Sequence, residues 1–188
     1  MNAPQNYDIP RILEEMRADY WRNLETAEQL ELAERLDYMV VAFGPQRFGL
    51  PATACREVLK LPRIVRVPRL PAHLPGIINL RGEIVAVTDV RPLLQIAAEP
   101  PTAGFRLVIV AVGGVRTALL VERVEGLASI GADTVEALAE GAAHGAADLF
   151  RGKTEAAGGL LLFDVGRLLA RPELTVDQKR LADTAGAE

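Results

Sequence analysis

The chain has 188 residues, of which 49% are apolar and only 5% aromatic, with a formal net charge of −4. Three lysines stand beside eighteen arginines with no Lys/Arg-rich cluster evident, which argues against nucleic acid as a partner. No apolar run approaches the ~18 residues that span a bilayer, the start lacks a signal-peptide pattern, and a single cysteine, Cys55, excludes an internal disulfide, so a soluble cytoplasmic protein without direct membrane insertion is expected.

Residues 1–36 hold eight acidic and four basic side chains, whereas residues 37–188 are neutral. The acidity therefore belongs to an N-terminal extension. Ile9, Leu13, Met16, Tyr20, Leu24 and Ala27 recur at spacings of three and four, which predicts an amphipathic α-helix over 8–36. Asp8 is placed to cap it, with Pro10 in its first turn.

At Asp37 the pattern changes. Residues 38–43 are almost wholly apolar and rich in strand formers, Gly44-Pro45-Gln46 reads as a turn, and residues 47–50 form the returning strand. Residues 52–61 suit either a short helix or an irregular strand. Pro62, Pro68, Pro71 and Pro75 forbid a long helix before Gly76. Residues 76–89 read as two strands joined by a tight turn at Arg81-Gly82. One helical turn over 90–94 and a connector over 97–104, with Pro100-Pro101, follow.

The pattern then begins again. At a shift of 69, Met39-Val40-Val41-Ala42-Phe43-Gly44 lies over Val108-Ile109-Val110-Ala111-Val112-Gly113, Arg47 over Arg116, Cys55 over Val124 and Val58 over Leu127. At a shift of 75, Val85-Ala86-Val87-Thr88-Asp89-Val90 lies over Leu160-Leu161-Leu162-Phe163-Asp164-Val165, which implies an insertion within 131–155. Two copies of a unit with about five short strands suggest two small barrels or curled sheets. Each copy alone has a marginal core, so the two are expected to pack together. Asp89 and Asp164 are expected to cap the short helices that follow them.

The stretch Leu74-Pro75-Gly76-Ile77-Ile78-Asn79-Leu80-Arg81-Gly82-Glu83-Ile84-Val85-Ala86-Val87-Thr88-Asp89-Val90-Arg91 closely resembles the signature of CheW-like chemotaxis coupling proteins. Arg56-Glu57-Val58-Leu59-Lys60-Leu61 with its Pro-rich sequel resembles that family too. So does the ending, Leu149-Phe150-Arg151-Gly152 and later Phe163-Asp164-Val165. The resemblance covers about residues 37–172 and leaves a polar tail over 173–188. It implies a mainly β fold of two SH3-like five-stranded β-barrel subdomains, approximately 37–100 and 104–172, with strand exchange at their termini left open. It implies an adaptor without enzymatic activity or cofactor, linking the cytoplasmic tip of chemoreceptors to the regulatory domain of a CheA-like histidine kinase. The alternative is an adaptor of a non-flagellar chemosensory pathway, such as pili or biofilm signalling, whose N-terminal helix serves a distinct partner or homo-oligomerisation.

By the same resemblance, Glu57 and Arg81 match partner-contact positions, and Cys55, Val58, Val124 and Leu127 match positions lining an apolar groove between the barrels, a fit receptor for an amphipathic helix. The plainer readings stand beside these. Glu57 and Arg81 could pair within the fold, aliphatic side chains are by default core, and Gly76 could simply ease the chain into a strand. Cys55 as a nucleophile lacks the surroundings of a reactive thiolate, and His73 and His144, without a cysteine cluster, make no zinc site.

Overall fold

The computed structural model describes residues 35–138, 146–171 and 174. The helix expected over 8–36 lies outside these residues except at its end, and there Arg35 and Leu36 already belong to a strand. The tail after 174 lies outside them as well.

Among the described residues ten strands follow in order: β1 (Arg35–Phe43), β2 (Gln46–Pro51), β3 (Cys55–Lys60), β4 (Gly76–Leu80), β5 (Glu83–Thr88), β6 (Arg106–Val112), β7 (Val115–Val121), β8 (Arg123–Gly131), β9 (Phe150–Thr154) and β10 (Leu160–Phe163), and then a short helix, α1 (Val165–Ala170). Residues 52–61 satisfy both readings in succession, a 3-10 turn over Ala52–Ala54 and then β3. The turn at Arg81-Gly82 is a two-residue hairpin loop. Both residues have positive φ, 52° and 93°, and Asn79 Oδ1 accepts the Gly82 N–H at 2.7 Å.

Among the described residues these strands form two mixed five-stranded sheets: sheet I in the order β8-β1-β2-β10-β9, and sheet II in the order β3-β6-β7-β5-β4. The stretches 37–100 and 104–172 trade strands between these sheets. Each sheet takes its first hairpin from one repeat and its other three strands from the other. Ala52–Ala54 and the single residue Glu122 carry the chain from one sheet to the other, so β3 lies beside β6 and β8 beside β1, each next to the other repeat's first hairpin.

The repeat survives in the pairing itself. Val87 opposes Ala118 in a parallel pair, and Leu162 opposes Gly49 in the matching one. Five residues beyond β3, Val65 exchanges hydrogen bonds with Ile77 of β4; five beyond β8, Glu136 does so with Lys153 of β9. A segment leaving one edge of each sheet thus reaches the other edge. Gly76 and Gly152 sit at these crossings, where a Cβ would run into the carbonyl oxygen of Val65 or Glu136. Gly76 is therefore explained by close backbone approach.

Hydrophobic alternation separates three cores. On β1, Tyr38 and Val40 face a cluster inside sheet I, while Val41 and Phe43 face the space between the sheets. On β6, Leu107 and Ile109 point into sheet II, and Val108 and Val110 between the sheets. Burial on both faces explains why these strands read as continuous apolar runs. The shared cluster also gathers Phe43, Phe48, Phe150 and Phe163, with ring centroids 4.7–6.0 Å apart in successive contacts. Fully burying one such side chain contributes about 1.5–3 kcal/mol.

Candidate functional site

A strand alternates its faces, so residues three apart point opposite ways unless a bulge intervenes. This governs the groove residues. Cys55 and Val124 are half-buried and pack against the shared cluster between the sheets. Val58, 40% exposed, and Leu127, 71% exposed, project to solvent. Pairing shifts register between Cys55 and Glu57, and Gly126, at φ 140°, breaks the alternation on β8. The two repeats thus agree: each gives one aliphatic or thiol side chain to the seam and one aliphatic to water. Burial pushes the Cys55 thiol up to about 11, so at neutral pH it is a protonated, poorly nucleophilic group.

Glu57 and Arg81 meet within the fold. Arg81 Nη2 donates to Glu57 Oε2 at 2.7 Å, joining the β4–β5 turn to β3 at the opposite edge of sheet II. Arg81 is 79% exposed, so the rest of its guanidinium fork faces solvent. A surface pair of this kind contributes ~0–1 kcal/mol and leaves a charged group free to bind.

The buried charges were not legible as such. Arg91 is 1% exposed. Its Nη2 donates to Asp89 Oδ2 at 2.8 Å and its Nε to Asp89 Oδ1 at 3.0 Å, and its Nη1 lies 3.3 Å from Glu122 Oε1. The Asp89 hydrogen bonds hold the guanidinium's pKa above its ordinary value, against the desolvation that opposes it. Phe105 covers the charge, with the guanidinium carbon 5.1 Å from the ring centroid. Glu122 Oε2 in turn accepts the Gly44 N–H at 2.6 Å, so the crossover residue between β7 and β8 ties sheet II to the β1–β2 turn of sheet I. Asp89 thus anchors a buried arginine, although it also accepts the Arg91 N–H. Only Asp164 caps an α-helix, accepting the Arg167 N–H at 2.9 Å. The signal in the sequence was Asp-x-Arg in one repeat against Asp-x-Gly in the other.

Around the β1–β2 turn, Arg47 donates to Glu125 at 2.7 Å and to the carbonyls of Ala157 and Gly158, and Arg123 also bonds Glu125. These bonds, Arg47 foremost, hold the Glu125 carboxyl below its ordinary 4.5. The matching end of sheet II is open. A shallow cleft of about 420 Å³ lies between Arg56, Val85, Arg116 and the Gly113-Gly114 turn. Ile84, Val112 and Val115 beside it are 64%, 39% and 51% exposed. Among the described residues no group of His, Cys, Asp and Glu is arranged to hold a metal, and no helix is long and apolar enough to cross a membrane.

A model of the family described as CheW-like domain matches residues 37–173. The chemotaxis protein CheW of Rhizobium meliloti (strain 1021) is 29% identical over 93 residues, 48% of this chain and 60% of that protein. The chemotaxis protein CheW of Bacillus subtilis (strain 168) is 24% identical over 103 residues, 55% and 66% respectively. The chain thus spans less than two thirds of the length of these curated relatives. The crystal structure of the scaffolding protein TtCheW from Thermoanaerobacter tengcongensis superposes with a TM-score of 0.64 at 23% identity, covering 69% of this chain and 84% of that one. At that identity the likeness bears on the fold alone.

Proposed function

The chain belongs to the CheW-like domain family of chemotaxis coupling proteins, and from that premise we propose that it is a non-catalytic adaptor joining chemoreceptor tips to a CheA-like histidine kinase. In this reading the two sheets are SH3-like barrels and residues 37–172 form the coupling domain. One observation carries the proposal: Val58 and Leu127, at equivalent places in the two repeats, are exposed aliphatics beside a seam lined by Cys55 and Val124. Aliphatic side chains held in water at matched positions on β3 and β8 suit the apolar face of a receptor helix. Arg81, steadied by Glu57, offers its free guanidinium edge to a partner carboxylate. A coupling protein needs a second face, and the exposed Ile84, Val112 and Val115 supply an apolar one for the kinase's regulatory domain.

Titration calorimetry with a two-helix receptor-tip fragment tests this. The expected affinity is about micromolar, roughly −8 kcal/mol. Leu127→Asp and Val58→Asp should each weaken it at least about tenfold, while urea unfolding stays within about 0.5 kcal/mol of wild type. Arg81→Glu should abolish receptor or kinase pull-down with thermal unfolding nearly unchanged. Wild-type binding by all three variants would remove the proposal.

A further inference from the structure

We propose that the exposed arginines of residues 61–70 form a basic strip that steers an acidic α-helix of the docking partner toward β3. The adaptor reading supplies only the identity of that partner.

The segment reads Leu61-Pro62-Arg63-Ile64-Val65-Arg66-Val67-Pro68-Arg69-Leu70, a triplet of aliphatic, variable residue and arginine repeated three times. Burial follows the same period: Leu61, Ile64, Val67 and Leu70 are half-buried and every residue between them is exposed. Leu61 and Ile64 pack against the core of sheet II. A period of three is that of a polyproline II helix, which Pro62 favours and which places every third side chain along one edge. Arg63 and Arg66 therefore share an edge, about 9 Å apart at ~3.1 Å per residue, and Arg69, at φ 65° in the turn that follows, is the exposed cation just past its end. Whole-chain composition had concealed this run of cations.

The strip is not used by the fold. Arg47, Arg81, Arg91, Arg116, Arg123, Arg167 and Arg171 each meet a carboxylate. Among the described residues none reaches Arg63, Arg66 or Arg69, nor the neighbouring exposed Arg56 and Lys60. The matching connector of the second repeat, Ala132-Asp133-Thr134-Val135-Glu136-Ala137-Leu138, makes the same strand-edge crossing through Glu136 with two acids and no cation. The crossing thus needs no positive charge.

The geometry selects the partner's chemistry. Carboxylates seven residues apart on an α-helix lie about 10.5 Å apart on nearly one face, within reach of arginines at this spacing. Guanidinium forks engage carboxylates in pairs, which a lysine cannot do. A line of charges matches a rod better than the plane of a membrane. Exposed pairs are individually weak, so the strip acts chiefly on the rate of encounter.

Stopped-flow association of the full chain with the receptor-tip fragment at 50 and 300 mM salt reads this directly. The triple variant Arg63→Gln, Arg66→Gln, Arg69→Gln should associate about tenfold more slowly at low salt, with a flattened salt dependence and an almost unchanged dissociation rate. The control pair Arg35→Gln, Arg151→Gln should stay within twofold of wild type. Wild-type association by the triple variant, or an equal loss in the control, would overturn the strip's role. If the wild-type chain fails to bind the fragment, the adaptor reading fails, and the strip is judged by a second probe. In an NMR titration with a helical peptide bearing glutamates seven residues apart, the Nε–H signals of Arg63, Arg66 and Arg69 should move, and with its glutamine counterpart they should not. Motion with neither peptide, or sedimentation of the chain with phosphatidylglycerol-containing vesicles in place of peptide binding, would overturn it.

Discussion

The two equivalent hairpin turns are tied to the rest of the chain to different degrees. The β1–β2 turn is strapped: Gly44 donates to Glu122, and Arg47 is held by Glu125 and two backbone carbonyls. At the β6–β7 turn Arg116, the counterpart of Arg47, pairs with the exposed Glu83, and Gly113-Gly114 stands beside an open cleft and three exposed aliphatics. One backbone plan, repeated, thus gives one end closed upon itself and one end open to solvent.

The comparison can be broken where the repeats differ most. Arg91 and Gly166 occupy equivalent positions after Asp89 and Asp164. Arg91→Ala leaves Asp89 buried without its cation and should destabilise the chain by about 3–5 kcal/mol in urea unfolding. Asp164→Ala removes only a helix cap and should cost about 1 kcal/mol. Similar losses would mean that the buried network is no anchor. The glycine crossings sharpen the contrast. Gly76→Ala and Gly152→Ala both force a methyl against a carbonyl, but only Gly76 also has positive φ, 152°. Gly76→Ala should be the worse by about 1 kcal/mol, measured by thermal unfolding of both variants. The smallest effect is that of acid on the strapped turn. Because the folded pKa of Glu125 is depressed, its stabilisation is complete above 4.5 and fades as pH falls through the lower folded value. Amide protection factors around the β1–β2 turn, corrected for the intrinsic pH dependence of exchange, should fall over that range, and Glu125→Gln should show the lowered protection already at neutral pH.

Much of this was legible in the chain. The hairpins at Gly44-Pro45 and Arg81-Gly82 are written in turn chemistry, and the repeat is written in matched apolar positions. The exchange of strands was not, because alternation reports which face is buried but not which neighbour does the burying. Cys55 and Val58, three apart on β3, share a face because pairing shifts register between Cys55 and Glu57 and sets them opposite Val110 and Val108; such a bulge is not written in an apolar pattern. Arg91 was invisible as a buried ion because its partners come from positions 89 and 122, and only folding brings the second one near. The arginine triplet was in plain view, but whole-chain composition averages away a signal ten residues long.

The reciprocal trade of strands means that neither repeat owns a finished sheet. A chain cleaved at the exposed Pro100-Pro101 connector would yield two pieces, each holding two strands of one sheet and three of the other. Neither piece could stand alone, yet together they have every pairing of the intact molecule. The repeats behave as interlocked hands, and a split of the chain there is a ready complementation assay that reports on whether the two halves have met.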